Sequence, residues 1–191
     1  TYDSETFSAQ IMNGNYMREM TVPQMEYLDL HDLADRFEGG TKYRELGSHG
    51  NYYQLEPFIV PENFGLISEH IYNKYDSDRE RVREVWNVVT QINTYSPELE
   101  ETPRMPLETL LAGGGDCEDT AILAASMLEA MPADWDVQLV YMDSNNPQDP
   151  EDINHALIYV DTGEYQTFIE TTSSYEMSPY EEVDGYYVDV E

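Results

Sequence analysis

At 191 residues with 40% hydrophobic side chains, the chain has room for one well-filled core, or a core domain with a modest extension. Nine Lys and Arg stand against 39 Asp and Glu, a formal net charge of −30, which excludes nucleic acid as a partner and disfavours an anionic membrane surface. No apolar run reaches the ~20 residues a bilayer requires, so no membrane-spanning segment is expected, and no secretory signal pattern opens the chain.

A charge of this size self-repels in dilute buffer, a lever known from salt-adapted proteins, and the expected source is a salt-adapted archaeon. A dedicated cation-binding surface is the alternative, and abundant Tyr, Met and Asn run against an extreme halophile. The chain starts at Thr1 rather than Met, as a processed or trimmed product would. Localisation is therefore left open between the cytoplasm and the cell surface or exterior. One cysteine permits no internal disulfide, so the core, with or without a bound ion, must hold the fold.

Residues 1–60 are expected to form an N-terminal extension, partly helical, with one helix near Pro23–Phe37 ended by Gly39-Gly40. A Gly/Tyr/Asn-rich stretch runs from Gly47 to Tyr53, and Pro57 and Pro61 bracket Phe58-Ile59-Val60 as a boundary. Residues 61–191 follow as the main domain. A short helix is expected across Phe64–Tyr75. Ser77 and Glu80 then form a capping-box signature ahead of Val82, Val85, Trp86, Val89 and Ile92 at helical spacing. Pro97, Pro103 and Pro106 predict an extended linker.

Gly113-Gly114-Gly115 and Asp116, a good N-cap, precede a small-residue helix from Cys117 to about Met131. Strands are predicted at Val137–Met142, His155–Val160 and Tyr165–Glu170, with an acidic loop at Asp143–Asp152 between the first two. Helices first and a strand meander afterwards make an α+β fold, a nucleophile helix packed on an antiparallel sheet.

Cys117 falls at a helix start, a setting that lowers thiol pKa values, and shares a stripe with Ala121, Ala124, Ala125 and Leu128. A turn centred on Thr162-Gly163 pairs Val160 with Tyr165 and puts His155 opposite Glu170, with Cβ atoms roughly 4.5–5.5 Å apart. A carboxylate there would orient the imidazole of a Cys–His–acid triad. Each residue alone has a plainer explanation, as buried Cys, structural His and solvated Glu; their joint order makes the case.

The segment Pro106-Leu107-Glu108-Thr109-Leu110, with Gly113-Gly114-Gly115-Asp116-Cys117-Glu118-Asp119, resembles the nucleophile motif of transglutaminase-like cysteine proteins. It is especially similar to the prokaryotic branch that includes calcium-dependent periplasmic cysteine proteases. Asn154-His155-Ala156 and Phe168-Ile169-Glu170-Thr171-Thr172 resemble that superfamily's His and acid motifs, with Glu170 where many members carry Asp and Asp161 as a fallback acid. The similarity covers roughly Val82 to Ser174. It implies a papain-like/transglutaminase-like core and a thiol-dependent hydrolase, a cysteine peptidase or amidase. Such an enzyme attacks protein or peptide amides through Cys117, His155 and Glu170 by way of a thioester. A transglutaminase-type acyl transferase and a non-catalytic binding module on the same fold are the alternatives.

The Cys117 backbone N–H is the natural oxyanion donor, with Gln91, Asn93 and Tyr95 as candidates for a second. Asp116, Glu118 and Asp119 crowd the thiol with like charge, which opposes ionisation. They cap the helix, face solvent, or gather a hard cation such as Ca²⁺. The resemblance implies the last, with Asp116 and Glu118 as ligands. The chemistry requires no cofactor, and oligomeric state is not legible.

Overall fold

A computed structural model of the protein describes residues 7–13, 16–22, 36–92 and 102–190. Its longest helix opens as the sequence predicts. The Ser77 hydroxyl donates to the Glu80 carboxylate at 2.7 Å, and the Glu80 N–H reaches back to that hydroxyl at 3.4 Å. This helix, α2 (Asp78–Ile92), follows α1 (Gly65–Lys74) and buries Val82, Val85, Val88 and Val89. Pro106, expected in a linker, instead starts a short helix, α3 (Pro106–Ala112), because a proline at the first helical position loses no intrahelical hydrogen bond.

The helix begun by Cys117, α4 (Cys117–Glu129), is buried on nearly every side. The sheet lies against one flank and the other helices against the rest. Ala121, Ala124 and Ala125, all fully buried, keep it slim enough for that enclosure. Its buried hydroxyl is satisfied: Ser126 Oγ accepts the Val60 N–H at 3.1 Å and donates to the Ile122 carbonyl at 2.8 Å.

Beside α4 stands an antiparallel sheet of β5 (Asp136–Met142), β6 (His155–Asp161), β7 (Gln166–Ile169) and β8 (Tyr186–Asp189), in the order β7-β6-β5-β8. The α+β class and the packing of the cysteine helix on an antiparallel sheet are as predicted. Alternation sorts the side chains: Val137, Leu139, Ile158, Val160 and Ile169 join the main core, while Val140, Met142, Leu157 and Phe168 form a smaller cluster behind the sheet.

Two features of the sheet differ from expectation. Strand β8 was not foreseen, although Tyr186-Tyr187-Val188 carries aromatic and β-branched residues suited to a strand. The β6–β7 register also differs, since Asp161 pairs with Gln166 and Ile158 with Ile169. The connection is a four-residue loop, closed by the Thr162 N–H on the Tyr165 carbonyl at 3.0 Å, rather than a two-residue turn. The shift from the predicted pairing is two residues. An even shift preserves the face, so Glu170 stays on the same side as His155.

Near the start of the chain β1 (Phe7–Asn13) pairs with β2 (Tyr16–Val22), Asn13 opposite Tyr16. The two residues between them in the sequence, Gly14-Asn15, are a short hairpin signal. The helix expected near Pro23–Phe37 falls, but for its last two residues, outside the described residues. Next come β3 (Tyr43–Glu45) and β4 (Asn51–Tyr53), paired antiparallel. Leu46, Leu55, Phe58 and Ile59 belong to the same core as α4 and the sheet, so this part of the expected extension is built into the domain. Tyr141 of β5 secures it, donating to the Tyr53 carbonyl at 2.9 Å and accepting the Leu55 N–H at 3.1 Å.

Candidate functional site

The loop before Cys117 is shaped by its glycines and one half-buried ion pair. Gly113 has φ +76°, a left-handed conformation that ends α3. Asp119, fully buried, accepts the Arg104 backbone N–H at 2.8 Å and faces the Arg104 guanidinium at 3.5 Å. That guanidinium also donates to the Gly114 carbonyl at 3.1 Å, clamping the loop onto the helix. A Cβ on Gly115 would lie 2.6 Å from the Asp119 Cβ and 2.8 Å from its Cγ. Gly115→Ala is therefore expected to cost about 1–3 kcal/mol. Thermal unfolding checks this at roughly 2–4 °C of Tm per kcal/mol; an unchanged Tm would mean Asp119 moves aside freely.

Asp116 caps α4, its Oδ1 accepting the Asp119 N–H at 3.4 Å. Of the readings open for this acid, capping is the one the geometry displays. Cys117 is 8% exposed, and its thiol donates to Glu118 Oε2 at 2.9 Å rather than to His155. Burial pushes the thiol well above its ordinary range. The charge and hydrogen bond of Glu118 add to this, and Asp116 adds further; only the backbone N–H of Ala156, next to His155, works against them. The lowering expected from the helix terminus is thus reversed, because desolvation and two carboxylates outweigh one set of backbone dipoles. Burial, with the charge of Asp116, also pushes Glu118 up to about 6.

His155 begins β6, and its Nε2 lies 2.7 Å from Glu170 Oε2, both side chains nearly buried. The other oxygen of Glu170 accepts the Thr172 N–H at 2.8 Å and the Thr172 hydroxyl at 2.6 Å. Burial alone would raise this carboxyl. The His155 hydrogen bond and charge, with the Thr172 donors, outweigh it and hold Glu170 below its usual range. The backbone is fixed too: the indole N–H of Trp86 donates to the Glu170 carbonyl at 2.9 Å, and the Glu170 N–H donates to the Met177 carbonyl at 2.7 Å. Asp161, the fallback acid, is at the far end of β6. It accepts the Gly163 N–H at 2.7 Å and plays no part beside His155.

The loop leading to His155 is organised on one carboxylate. Asp143 accepts the N–H groups of Asn145, Asn146, Glu151 and Asp152 and the Asn154 side-chain amide, at 2.9–3.3 Å. Desolvation would raise Asp143, yet the donors prevail and hold it down at about 2, against an ordinary value of 3.8. A lowered acid stabilises the fold above its unfolded value and loses that contribution as pH falls through its folded one. The amide NMR signals of Asn145, Glu151 and Asp152 are expected to hold at pH 4 and to move together near pH 2. A midpoint near 4 would refute the assignment.

Glu118 and His155 face one cleft of about 140 Å³, walled by Tyr43, Asn51, Tyr52 and Tyr53. The tyrosine wall comes from the stretch least legible in the sequence, which is marked only by its Gly/Tyr/Asn composition from Gly47 to Tyr53. Gln91 is exposed and not among the lining residues, while Asn93 and Tyr95 lie outside the described residues.

Each of the three acids around the thiol has a partner, Asp116 the Asp119 N–H, Glu118 the thiol and Asp119 Arg104, and the Glu118 and Asp116 side chains also interact. Among the described residues no group of three or more His, Cys, Asp or Glu side chains is placed to hold a metal ion. In this arrangement the set does not fit the six to eight oxygens of a Ca²⁺ shell. Nor is any helix of the described residues long and apolar enough to cross a membrane.

Fold and site together define an α+β domain whose lone cysteine starts a buried helix beside a histidine–carboxylate pair. No protein-family model and no curated protein matches the chain. Among solved structures it is similar to a candidate cysteine protease from Cytophaga hutchinsonii, at 15% identity, 71% coverage of this chain, 45% of that one and a TM-score of 0.48. A candidate protease from Parabacteroides distasonis matches at 10% identity, 98% and 41% coverage and a TM-score of 0.46. LapG from Legionella pneumophila, also matched in calcium-bound and EGTA-treated forms, aligns at 16% identity, 70% and 86% coverage and a TM-score of 0.43. The chain spans less than half the length of the first two proteins.

Proposed function

We propose that the chain is a thiol-dependent hydrolase of the transglutaminase-like superfamily, a cysteine peptidase or amidase acting on protein or peptide amides. The observation that carries this is the 2.7 Å contact of His155 Nε2 with a Glu170 carboxylate whose second oxygen is locked by Thr172. With Nε2 committed to Glu170, Nδ1 is the nitrogen left to take the thiol proton. In this mechanism the thiol first leaves Glu118, and its proton passes to His155. The thiolate then attacks the amide carbonyl, and the imidazolium protonates the leaving amine. A water, deprotonated by His155, resolves the thioester. The Glu170 contact fixes the orientation of the ring.

The tyrosine-walled cleft fits a peptide better than a compact hydrophilic metabolite, since aromatic rings offer broad faces to side chains and backbone. The test is hydrolysis of unstructured proteins and fluorogenic peptides by the purified chain, with and without iodoacetamide. Activity abolished by alkylation supports the proposal; activity untouched by it overturns the thiol mechanism.

One observation favours a second reading, the non-catalytic module: Glu118, not the thiol, faces the cleft and holds the thiol proton. A Cys117 that alkylates like a free thiol, with a pKa near ~8.5, and no hydrolysis would favour the module. For Ca²⁺ at Asp116 and Glu118, both carboxylates would have to leave their present partners. Titration calorimetry decides this, since no heat of binding, or the same heat with Asp116→Ala, removes the ion from the site.

A further inference from the structure

Another cleft among the described residues, about 500 Å³, lies away from the thiol along α2 and the segment after Thr172. We propose that it binds an acidic peptide segment, gripped by Arg79 and Arg83 over an aromatic floor.

The distribution of cations points there. Among the nine Lys and Arg, none follows Arg104 in the sequence, and three sit on α2. Among the other cations of the described residues, Lys42 is exposed and also makes no ion pair, but it is not on this cleft; Arg44 meets Glu38 and Glu56, Lys74 meets Glu84, Arg104 meets Asp119, and Arg36 reaches the Ile59 carbonyl. Arg81 pairs with Asp78 at 2.6 Å and lies over the Tyr72 ring. Arg79 and Arg83 differ in lining one cleft together. Both are exposed, and among the described residues neither makes an ion pair, in a chain with 39 acids to choose from. Arg79 has only the Tyr165 ring, 5.8 Å from its guanidinium carbon. Four residues apart on a helix, the two guanidinium groups share a face one turn apart.

The rest of the cleft suits a peptide. Trp86, Tyr165 and Met177 line it, Asn87 and Ser178 supply hydrogen-bonding groups, and Tyr175 at its edge is 96% exposed. Glu176 is also on the lining, exposed and not paired with either arginine. Guanidinium forks bind carboxylates in pairs of parallel hydrogen bonds, while aromatic faces pack the intervening stems. A net charge of −30 repels free anions at long range, but at physiological salt that field is screened beyond about 8 Å. Short-range bidentate contacts survive. A peptide carrying several carboxylates and apolar stems would use both arginines and the floor at once, which a lone inorganic anion does not.

The occupant would also touch the two groups that hold the Glu170 backbone, the Trp86 indole and the Met177 carbonyl. Trp86 is therefore the reporter. The probe is an acetylated, amidated Glu-Asp-Leu-Glu-Asp peptide, titrated at 0.15 M salt (roughly the physiological strength) while tryptophan fluorescence is read. The uncharged Gln-Asn-Leu-Gln-Asn peptide and inorganic phosphate serve as comparisons. The expected result is saturable binding of the acidic peptide, at least about tenfold weaker for the uncharged one and for R79Q/R83Q. Lys42→Gln, elsewhere on the surface, leaves it unchanged. Equal binding of both peptides, or binding indifferent to R79Q/R83Q, overturns the proposal. So does full competition by phosphate, which would mark a small-anion site, and so does self-association abolished by R79Q/R83Q, which would put a second copy in the cleft.

Discussion

Cys117→Ala and His155→Ala are each expected to lower kcat/KM on a fluorogenic peptide by roughly 10³-fold or more, with secondary structure unchanged by circular dichroism. The double variant should lose no more than either single one, because nucleophile and base act as a unit and neither works alone. Glu170 separates two roles. Glu170→Ala removes the acceptor 2.7 Å from His155 Nε2 and frees the Thr172 donors. Glu170→Gln keeps the volume and one acceptor oxygen but gives up the carboxylate charge. It should therefore retain more activity than Glu170→Ala. Equal activity of Cys117→Ala and the parent chain would remove the thiol mechanism. A Glu170→Ala variant with undiminished kcat would remove the acid's orienting role.

Much of the arrangement was legible because it rests on short-range rules. Asp116 is an N-cap residue and caps, Ser77 and Glu80 form their reciprocal pair, and the turn at Gly163 joins two strands of opposite direction. His155 and Glu170 met despite a register error, since a shift of two residues changes the partner but not the face. An error of one would have sent Glu170 to the other side of the sheet. What was not legible depends on contacts distant in sequence. Tyr52 and Tyr53 wall the cleft only because Tyr141, some ninety positions later, ties their loop to the sheet. Trp86 looked like one more apolar residue on a helical stripe, and its hydrogen bond to Glu170 spans 84 positions. The thiol's environment failed for a different reason. Helix position argued for a lowered pKa, but burial is the largest influence on Cys117, and burial is a property of the assembled core.

Glu118 carries the other large expectation, and it concerns a residue that blocks as well as lines. Its carboxylate stands between the cleft and the thiol, holding the thiol proton at 2.9 Å. Burial is the main cause of the raised Cys117 pKa and survives substitution, but the charge and the hydrogen bond of Glu118 do not. Glu118→Ala should therefore move the pH midpoint of iodoacetamide labelling down by a unit or more, about a tenfold faster reaction at neutral pH. Glu118→Gln, which keeps an acceptor oxygen, should move it by less. The stability effect runs the same way. Glu118 is pushed from 4.5 to about 6 in the folded chain. An acid raised in this manner costs stability as pH rises from its unfolded value through its folded one, and the cost is constant above that. Glu118→Gln is thus expected to be more stable than the parent by up to about 2 kcal/mol at pH 7, and no more stable at pH 4. Urea unfolding at the two pH values measures both. If Glu118→Gln were less stable at pH 7 and its thiol no more reactive, Glu118 would be a structural acid held by favourable partners. Gain of stability together with gain of thiol reactivity would instead make it a charge kept at this position against the fold's own preference, as residues retained for function commonly are.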